Sequence, residues 1–401
     1  MPNEQTTNNG LSIFSLRAGE GSPMIRQPAH VSHTRHRARC DFIPPFIIDN
    51  LARDDREEIR AAVLATAHQA MASRTRRSEL EVTIDQVAAS AGLAEISAAP
   101  GPTGEANREV YDCHQKWEKR VELVRREGAD PTGDADADSA YDLVGVTRDF
   151  LKKELGRNSI DNQGLDLNLN VHYGVKYMNA AWDGEEMVFG DGDGKLFIGF
   201  ARSLDVIAHE LGHGVTQYTA NLNYEGQSGA LNEHFSDVLG TVVTQAHNGE
   251  TAATADWLIG DEIMGPDLQG EALRSMRAPG TAYDDPLMRT DPQPAHMDLY
   301  YRGDADNRGV HINSGIPNRA FYLVATELGD TLAAGRLWYQ GLQRLTPTAD
   351  FVTAAEVLVN TARAMTKAGQ LPKGAAQIVR SAFSEVGILK LEVAPGVRRY
   401  R

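Results

Sequence analysis

From Ser203 to Val386 apolar residues recur at intervals of three and four, the period of helices that bury one face. The pattern predicts helices over 321–328, 332–345, 351–365 and 374–386. Between 110 and 200 the pattern is mixed: strand-like runs at 167–171 and 174–177 accompany one helix at 141–155. The predicted fold is therefore α+β, with a mixed β-rich lobe over 108–202 and a helical lobe over 203–389. Ahead of both, Phe42-Ile43-Pro44-Pro45-Phe46-Ile47-Ile48 is apolar and stiffened by two prolines. It introduces a helix over 49–73 carrying Ile59, Ala62, Val63 and Thr66 on one stripe. Residues 1–24 are polar and rich in small residues, a composition expected to be disordered. Arg26, Arg35, Arg37 and Arg39 mark a basic arm, which reads equally as contact with an acidic partner or as a solvated segment. Turn-forming residues over 98–107 read as an exposed linker, so 1–107 form a separable N-terminal part and 390–401 a basic tail.

Composition narrows the class. A chain of 401 residues with 41% hydrophobic content can build two real cores. Its net charge of −15 argues against nucleic acid as a partner. No run approaches the 18 apolar residues of a membrane span. Two cysteines, Cys40 and Cys113, fall on opposite sides of the boundary at 107 and are too few for a disulfide framework. Met1 to Gly10 lack the pattern of a secretory signal. The expectation is a monomer, either secreted by a route without a recognisable signal or retained in the cytoplasm.

The chemistry concentrates at His209-Glu210-Leu211-Gly212-His213. Residues four apart on a helix lie one above the other, so both imidazoles can reach one zinc ion. Glu210, about 100° further round the helix, stays off the metal but within reach of a water on it, as a general base should. Catalytic zinc takes three protein ligands and keeps a fourth position open. Glu233, in Gly229-Ala-Leu-Asn-Glu-His-Phe-Ser-Asp237, is the expected third ligand. Asp237, one turn on, is expected to accept the other ring N–H of His209, with Asn232 also in the surrounding shell. A Glu/Asp pair at this spacing otherwise reads as a solvated helix face.

The run His209-Glu-Leu-Gly-His-Gly-Val-Thr-Gln-Tyr-Thr-Ala, then Ser228-Gly-Ala-Leu-Asn-Glu, resembles the thermolysin-like neutral metalloproteases. Asn179-Ala-Ala-Trp-Asp-Gly, Met187-Val-Phe-Gly-Asp-Gly-Asp-Gly and Gly309-Val-His-Ile-Asn-Ser-Gly continue the likeness, in consistent order over 110–388. The resemblance implies a two-lobed fold with the zinc helix at the junction, and protein or peptide substrates. It assigns Tyr224 and His311 as oxyanion donors, with Asp306 orienting His311. It assigns Asn179 and the backbone of Ala180 to hold the substrate as an added strand, and Arg274 to bind a substrate carbonyl. Phe197, Phe200, Val206 and Leu273 match the pocket for the hydrophobic residue after the cut. The Phe-Ile-Pro-Pro-aromatic segment resembles the short propeptide of the protealysin-like branch, which implies a self-processing precursor inhibited by its own N-terminal part.

The likeness fails in part at calcium. Asp205, Asp256 and Asp261 match ligand positions, but Thr244 and Leu258 stand where carboxylates would complete a double site, leaving room for one ion at most. The Asp134-Ala-Asp-Ala-Asp138 run reads as a solvated loop and Asp191/Asp193 as a turn. Two devices could hold the precursor silent: the 42–46 segment packed near the cleft, or a Cys40 thiolate in the open zinc position. The alternative function is a catalytically silent zinc-binding interaction protein on the same scaffold, disfavoured by the retention of Glu210, Tyr224 and His311.

Overall fold

A computed structural model describes residues 40–69, 104 and 106–390. The expectations for the polar N-terminus and basic arm before Cys40, for 98–103 and for the 391–401 tail lie outside the described residues.

Five short strands and one contributed by the N-terminal segment form a mixed sheet. They are β1 (Cys40–Asp41), β2 (Arg108–Asp112), β3 (Glu122–Arg126), β4 (Leu167–Val171), β5 (Ala180–Trp182) and β6 (Met187–Phe189), in spatial order β1-β5-β6-β4-β2-β3. The β6-β4 and β4-β2 pairs are parallel and the rest antiparallel. β1 covers the outer edge of β5, with Cys40 opposite Trp182 and Asp41 opposite Ala181. The run at 174–177, expected as a strand, is a turn with Gly174 and Lys176 at positive φ.

The N-terminal helix is broken where one was expected over 49–73. α1 (Pro45–Leu51) starts on a proline, which needs no N–H at the first helical position. A turn follows, in which Asp54 accepts bonds from the backbone and guanidinium of Arg56, and helical residues 57–69 form α2. Phe42, Ile43, Ile47, Ile59 and Val63 are buried in the same core as both lobes.

α3 (Ala135–Leu155) starts six residues earlier than its periodicity predicted. The Asp134-to-Asp138 run is its N-cap and first turn, a correction to the solvated-loop reading. Asp134 accepts from the Asp136 and Ala137 amides, and acidic groups suit this end of a helix dipole. Asp134 also holds His172, whose Nδ1 lies 2.7 Å from Asp191 and Nε2 3.2 Å from Asp134. The Asp191 bond lifts the His172 ring to about 9, against its burial and with help from Asp134. The protonated ring is thus favoured in the folded state: its stabilisation is full below the unfolded value of about 6.5 and is lost as pH rises through about 9. His172→Gln is expected to remove about 1–2 kcal/mol of stability at pH 6 and little at pH 10. Thermal melts of both proteins across that range would read the difference.

The helical lobe follows: α4 (Leu204–Gln217), α5 (Gly226–Asn248), α6 (Ala305–Asn313), α7 (Gly315–Leu328), α8 (Thr331–Leu342), α9 (Phe351–Lys367) and α10 (Ala375–Glu385). Every residue of α4 is buried. It approaches α5 closely at Gly212, where a Cβ would stand 2.7 Å from the Ser236 Cα. Only glycine allows that separation, and it brings Glu233 of α5 alongside the histidines of α4. Among the described residues no helix is long and apolar enough to cross a membrane.

Candidate active site

His209 and His213 project from one face of α4 and are fully or almost fully buried. Their Nε2 atoms lie 3.0 Å apart. The Glu233 carboxylate of α5 faces both, 3.5 Å from His209 Nε2 and 3.6 Å from His213 Nε2. Glu233 and Asp237 are each about 1% exposed, so the solvated-face alternative does not describe them.

The second ring nitrogens fix the tautomers. Asn232 donates its amide N–H to the Leu222 carbonyl, which leaves its Oδ1 to accept from His213 Nδ1 at 2.8 Å. His209 Nδ1 lies 2.9 Å from Asp237 Oδ1, somewhat off the ideal N–H line. Each Nε2 therefore offers a lone pair to the same point, where a carboxylate also points. Three buried electron-pair donors converging in this way repel one another unless a cation sits among them. Two imidazoles and a carboxylate are the donor set of a catalytic zinc site, and these residues fit that ion.

Asp237 is held in turn by Arg274, whose Nη2 donates at 2.9 Å, and by the Asn318 amide at 2.8 Å. Burial alone would raise the Asp237 carboxyl, but the Arg274 guanidinium and the His209 ring together outweigh it and bring it down to about 2. Asn318 also accepts from His234, a neutral core imidazole that burial lowers to about 4 and that takes a bond from Trp338. Nothing in the local sequence marks Asn318, which sits 81 residues from Asp237.

Glu210 points from α4 toward β5. Its Oε2 accepts the backbone N–H of Trp182, while Oε1 is buried with no hydrogen-bond partner. Burial pushes this carboxyl up to about 8. The Trp182 contact was absent from the sequence reading because a backbone donor leaves no side-chain signature.

Tyr224 and His311 close the opposite side. The Tyr224 hydroxyl donates to Glu233 Oε1 and lies 3.2 Å from His311 Nε2. Asp306 Oδ1 is 2.6 Å from His311 Nδ1, and its Oδ2 accepts the His311 and Ile312 amides. This clasp depends on a left-handed turn: Asp306, Asn307, Arg308 and Gly309 all have φ between 47° and 79°, so the first part of α6 is not right-handed helix. Three non-glycine residues there carry a conformational cost that the Asp306 bonds offset. Burial opposes charging the His311 ring, but Glu233 and Asp306 raise it to about 9.

The N-terminal segment runs through the cleft between these groups. Phe42 N donates to the Ala180 carbonyl at 2.9 Å, and Arg274 Nη1 donates to the Phe42 carbonyl at 3.3 Å. The Asn179 side chain brackets Ile43, accepting its N–H at 2.7 Å and donating to its carbonyl at 3.3 Å. His311 Nε2 lies 3.0 Å from the Asp41 carbonyl oxygen. The Phe42 ring meets His209 edge-on at 5.0 Å and lies under the Arg274 guanidinium at 4.7 Å. It shares the surface of Gly260 with Leu273: a Cβ at Gly260 would meet Phe42 at 3.1 Å and Leu273 at 3.0 Å. Gly260 is thus a wall of the pocket that the sequence reading missed. Val206 is fully buried, as are Phe197 and Phe200, whose ring centroids are 6.0 Å apart.

Asp205, Asp256 and Asp261 line one cavity together with Glu262 and Thr244. Asp205 is already engaged by Ser203, the Val206 amide and the Gly260 amide. Burial, and then Asp205, raise the Asp261 carboxyl to about 6.

Known proteins match this arrangement along nearly the whole chain. The family model described as thermolysin metallopeptidase, catalytic domain, matches residues 81–217, and that of the thermolysin metallopeptidase alpha-helical domain matches 220–388. An extracellular metalloprotease of Pectobacterium carotovorum subsp. carotovorum is 43% identical over 361 residues, covering 88% of this chain and 98% of that protein. Protease PrtS of Photorhabdus sp. (strain Az29) is 40% identical over 328 residues, 80% of this chain and 86% of its own. Among solved structures, the precursor of protealysin, a metalloproteinase from Serratia proteamaculans, superposes with a TM-score of 0.76 at 41% identity, covering 87% of this chain and 100% of that one. The chain belongs to the thermolysin family of metallopeptidases and is a zinc-dependent neutral endopeptidase.

Proposed function

We propose that the chain is a self-processing precursor that cleaves peptide bonds on the N-terminal side of hydrophobic residues. The observation that carries this reading is the seating of its own Asp41-Phe42-Ile43 segment, strand-like, across the groups expected to bind substrate. Main-chain pairing along β5 supplies affinity without demanding a sequence, and the Phe42 pocket supplies the preference. His209, His213 and Glu233 would hold zinc, which when bound polarises the scissile carbonyl and acidifies water. Glu210 takes a proton from the attacking water and passes it to the leaving amine; its Oε1, buried without a hydrogen-bond partner, is open to that proton. His311, oriented by Asp306, and Tyr224 donate to the developing oxyanion. Asn179 and Arg274 hold the chain beyond the cut.

In this reading residues 1–107 are an intramolecular inhibitor removed on maturation, while 108–202 and 203–389 are the lobes of a monomeric enzyme acting on protein and peptide substrates. One calcium ion at Asp205, Asp256 and Asp261 would offset the burial and the neighbouring Asp205 charge that raise Asp261. The extracellular names of the relatives support secretion. Digests of unfolded casein, with every cut bond mapped by mass spectrometry, test the specificity. New N-termini are expected to be Phe, Leu, Ile or Val, and cutting after basic or acidic residues without that preference would defeat the reading.

A further inference from the structure

The N-terminal segment lies across the groups proposed to bind substrate, which poses a chemical question: the Asp41–Phe42 peptide bond has its carbonyl on His311, its following amide on Ala180 and its following side chain in the pocket. A peptide so held should be cut. The residue before it, Cys40, stands opposite Trp182 at the sheet edge and is 2% exposed. Its sulfur, a ring nitrogen of His213 and a carboxylate oxygen of Glu233 all lie within 4.8 Å of one another. That is within a small side-chain adjustment of the roughly 3.5 Å kept by two ligands of one tetrahedral zinc. Beside these ligands on α4, Glu210 Oε1, the oxygen left over after Trp182 has taken Oε2, is buried and has no partner.

We propose that Cys40 is a metal-directed latch, its sulfur filling the fourth position at the zinc held by His209, His213 and Glu233 and so excluding the water that Glu210 would activate. This rests on the zinc reading of those three residues. The thiol S–H bond breaks, the proton leaves to solvent, and the sulfur lone pair forms the bond to the metal, with no change of oxidation state. Latency then has two parts. The Phe42 and Ile43 contacts hold the segment in the cleft, and the sulfur denies that cleft its nucleophile. Maturation must pull Cys40 away from the site, after which water takes its place.

The test uses the full chain with Glu210→Gln, which blocks self-cleavage, loaded with cobalt(II) in place of zinc. Metal content is measured on every sample. A thiolate on cobalt gives a near-ultraviolet charge-transfer absorption that imidazole and carboxylate do not. The band is expected in the Glu210→Gln chain and is expected to vanish when Cys40→Ser is added, with one cobalt still bound. Stoichiometric cobalt without the band overturns the latch and leaves the zinc reading standing. Failure to bind cobalt or zinc at all overturns both. A second measurement needs no change at Cys40: alkylation of the Glu210→Gln chain followed by peptide mass. Cys40 is expected to be protected with metal and labelled once a chelator removes it. Cys113, buried and with its thiol pushed up to about 12, serves as the internal reference and is expected not to respond. Labelling of Cys40 that ignores the metal would show burial alone at work and overturn the proposal.

Discussion

Glu210→Gln is expected to leave a folded, zinc-loaded chain that stays full length and has lost casein hydrolysis by about 10³-fold or more, the upper range for a positioned acid–base group. The substitution is nearly isosteric, and the amide oxygen can still accept the Trp182 N–H. It removes a carboxylate that burial has raised to about 8, and with it the ability to take and return a proton. Intact mass, zinc content and casein cleavage on wild type and variant decide the matter together. If the variant matured by itself, or digested casein at a tenth of the wild-type rate, Glu210 would not be the base.

Arg274→Ala is expected to cost about 3–5 kcal/mol of folding stability, because it leaves the Asp237 carboxylate buried without its cation. Arg274 is 3% exposed and serves three neighbours: Asp237 through Nη2, the Phe42 carbonyl through Nη1, and the Phe42 ring through its flat face. Loss of this one side chain should therefore lower the melting temperature, loosen the hold on the N-terminal segment and reduce kcat/KM. Arg274→Lys keeps the charge but not the fork, and is expected to fall between the two. Melting curves and peptide kinetics on the three proteins would measure the order. Unchanged stability in Arg274→Ala would mean that the Asn318 and His209 contacts Asp237 already has suffice without the cation.

The readable part of the site was local. The spacing of His209, Glu210 and His213 sets three side chains on one helix, and α4 delivers them as the period of 3.6 requires. The terminal helices α7 to α10 were legible for the same reason, since each pays a repeating apolar stripe into one core. The misses were positions where a local rule met a competing local rule. The alternating acids of 134–138 look like a loop in composition but form an N-cap and first helical turn, where negative charge meets the helix dipole. The prolines at 44 and 45 look like helix breakers, but Pro45 opens a helix.

What the chain determined residue by residue is its chemistry: two imidazoles and a carboxylate for zinc, a separate carboxylate for the proton, and an apolar segment held back for the cleft. Where those groups meet was decided only by the tertiary structure. Glu233 reaches the histidines because Gly212 lets α4 and α5 approach to backbone contact. His311 faces the cleft because a left-handed turn brings Asp306 beneath it. Asp41 lies on His311, 270 residues away in the chain, because the edge of β5 offers unpaired backbone groups and the N-terminal segment supplies the matching strand. Periodicity reports which face of an element is apolar, whereas such encounters depend on which elements pack together, and no local pattern of residues encodes that choice.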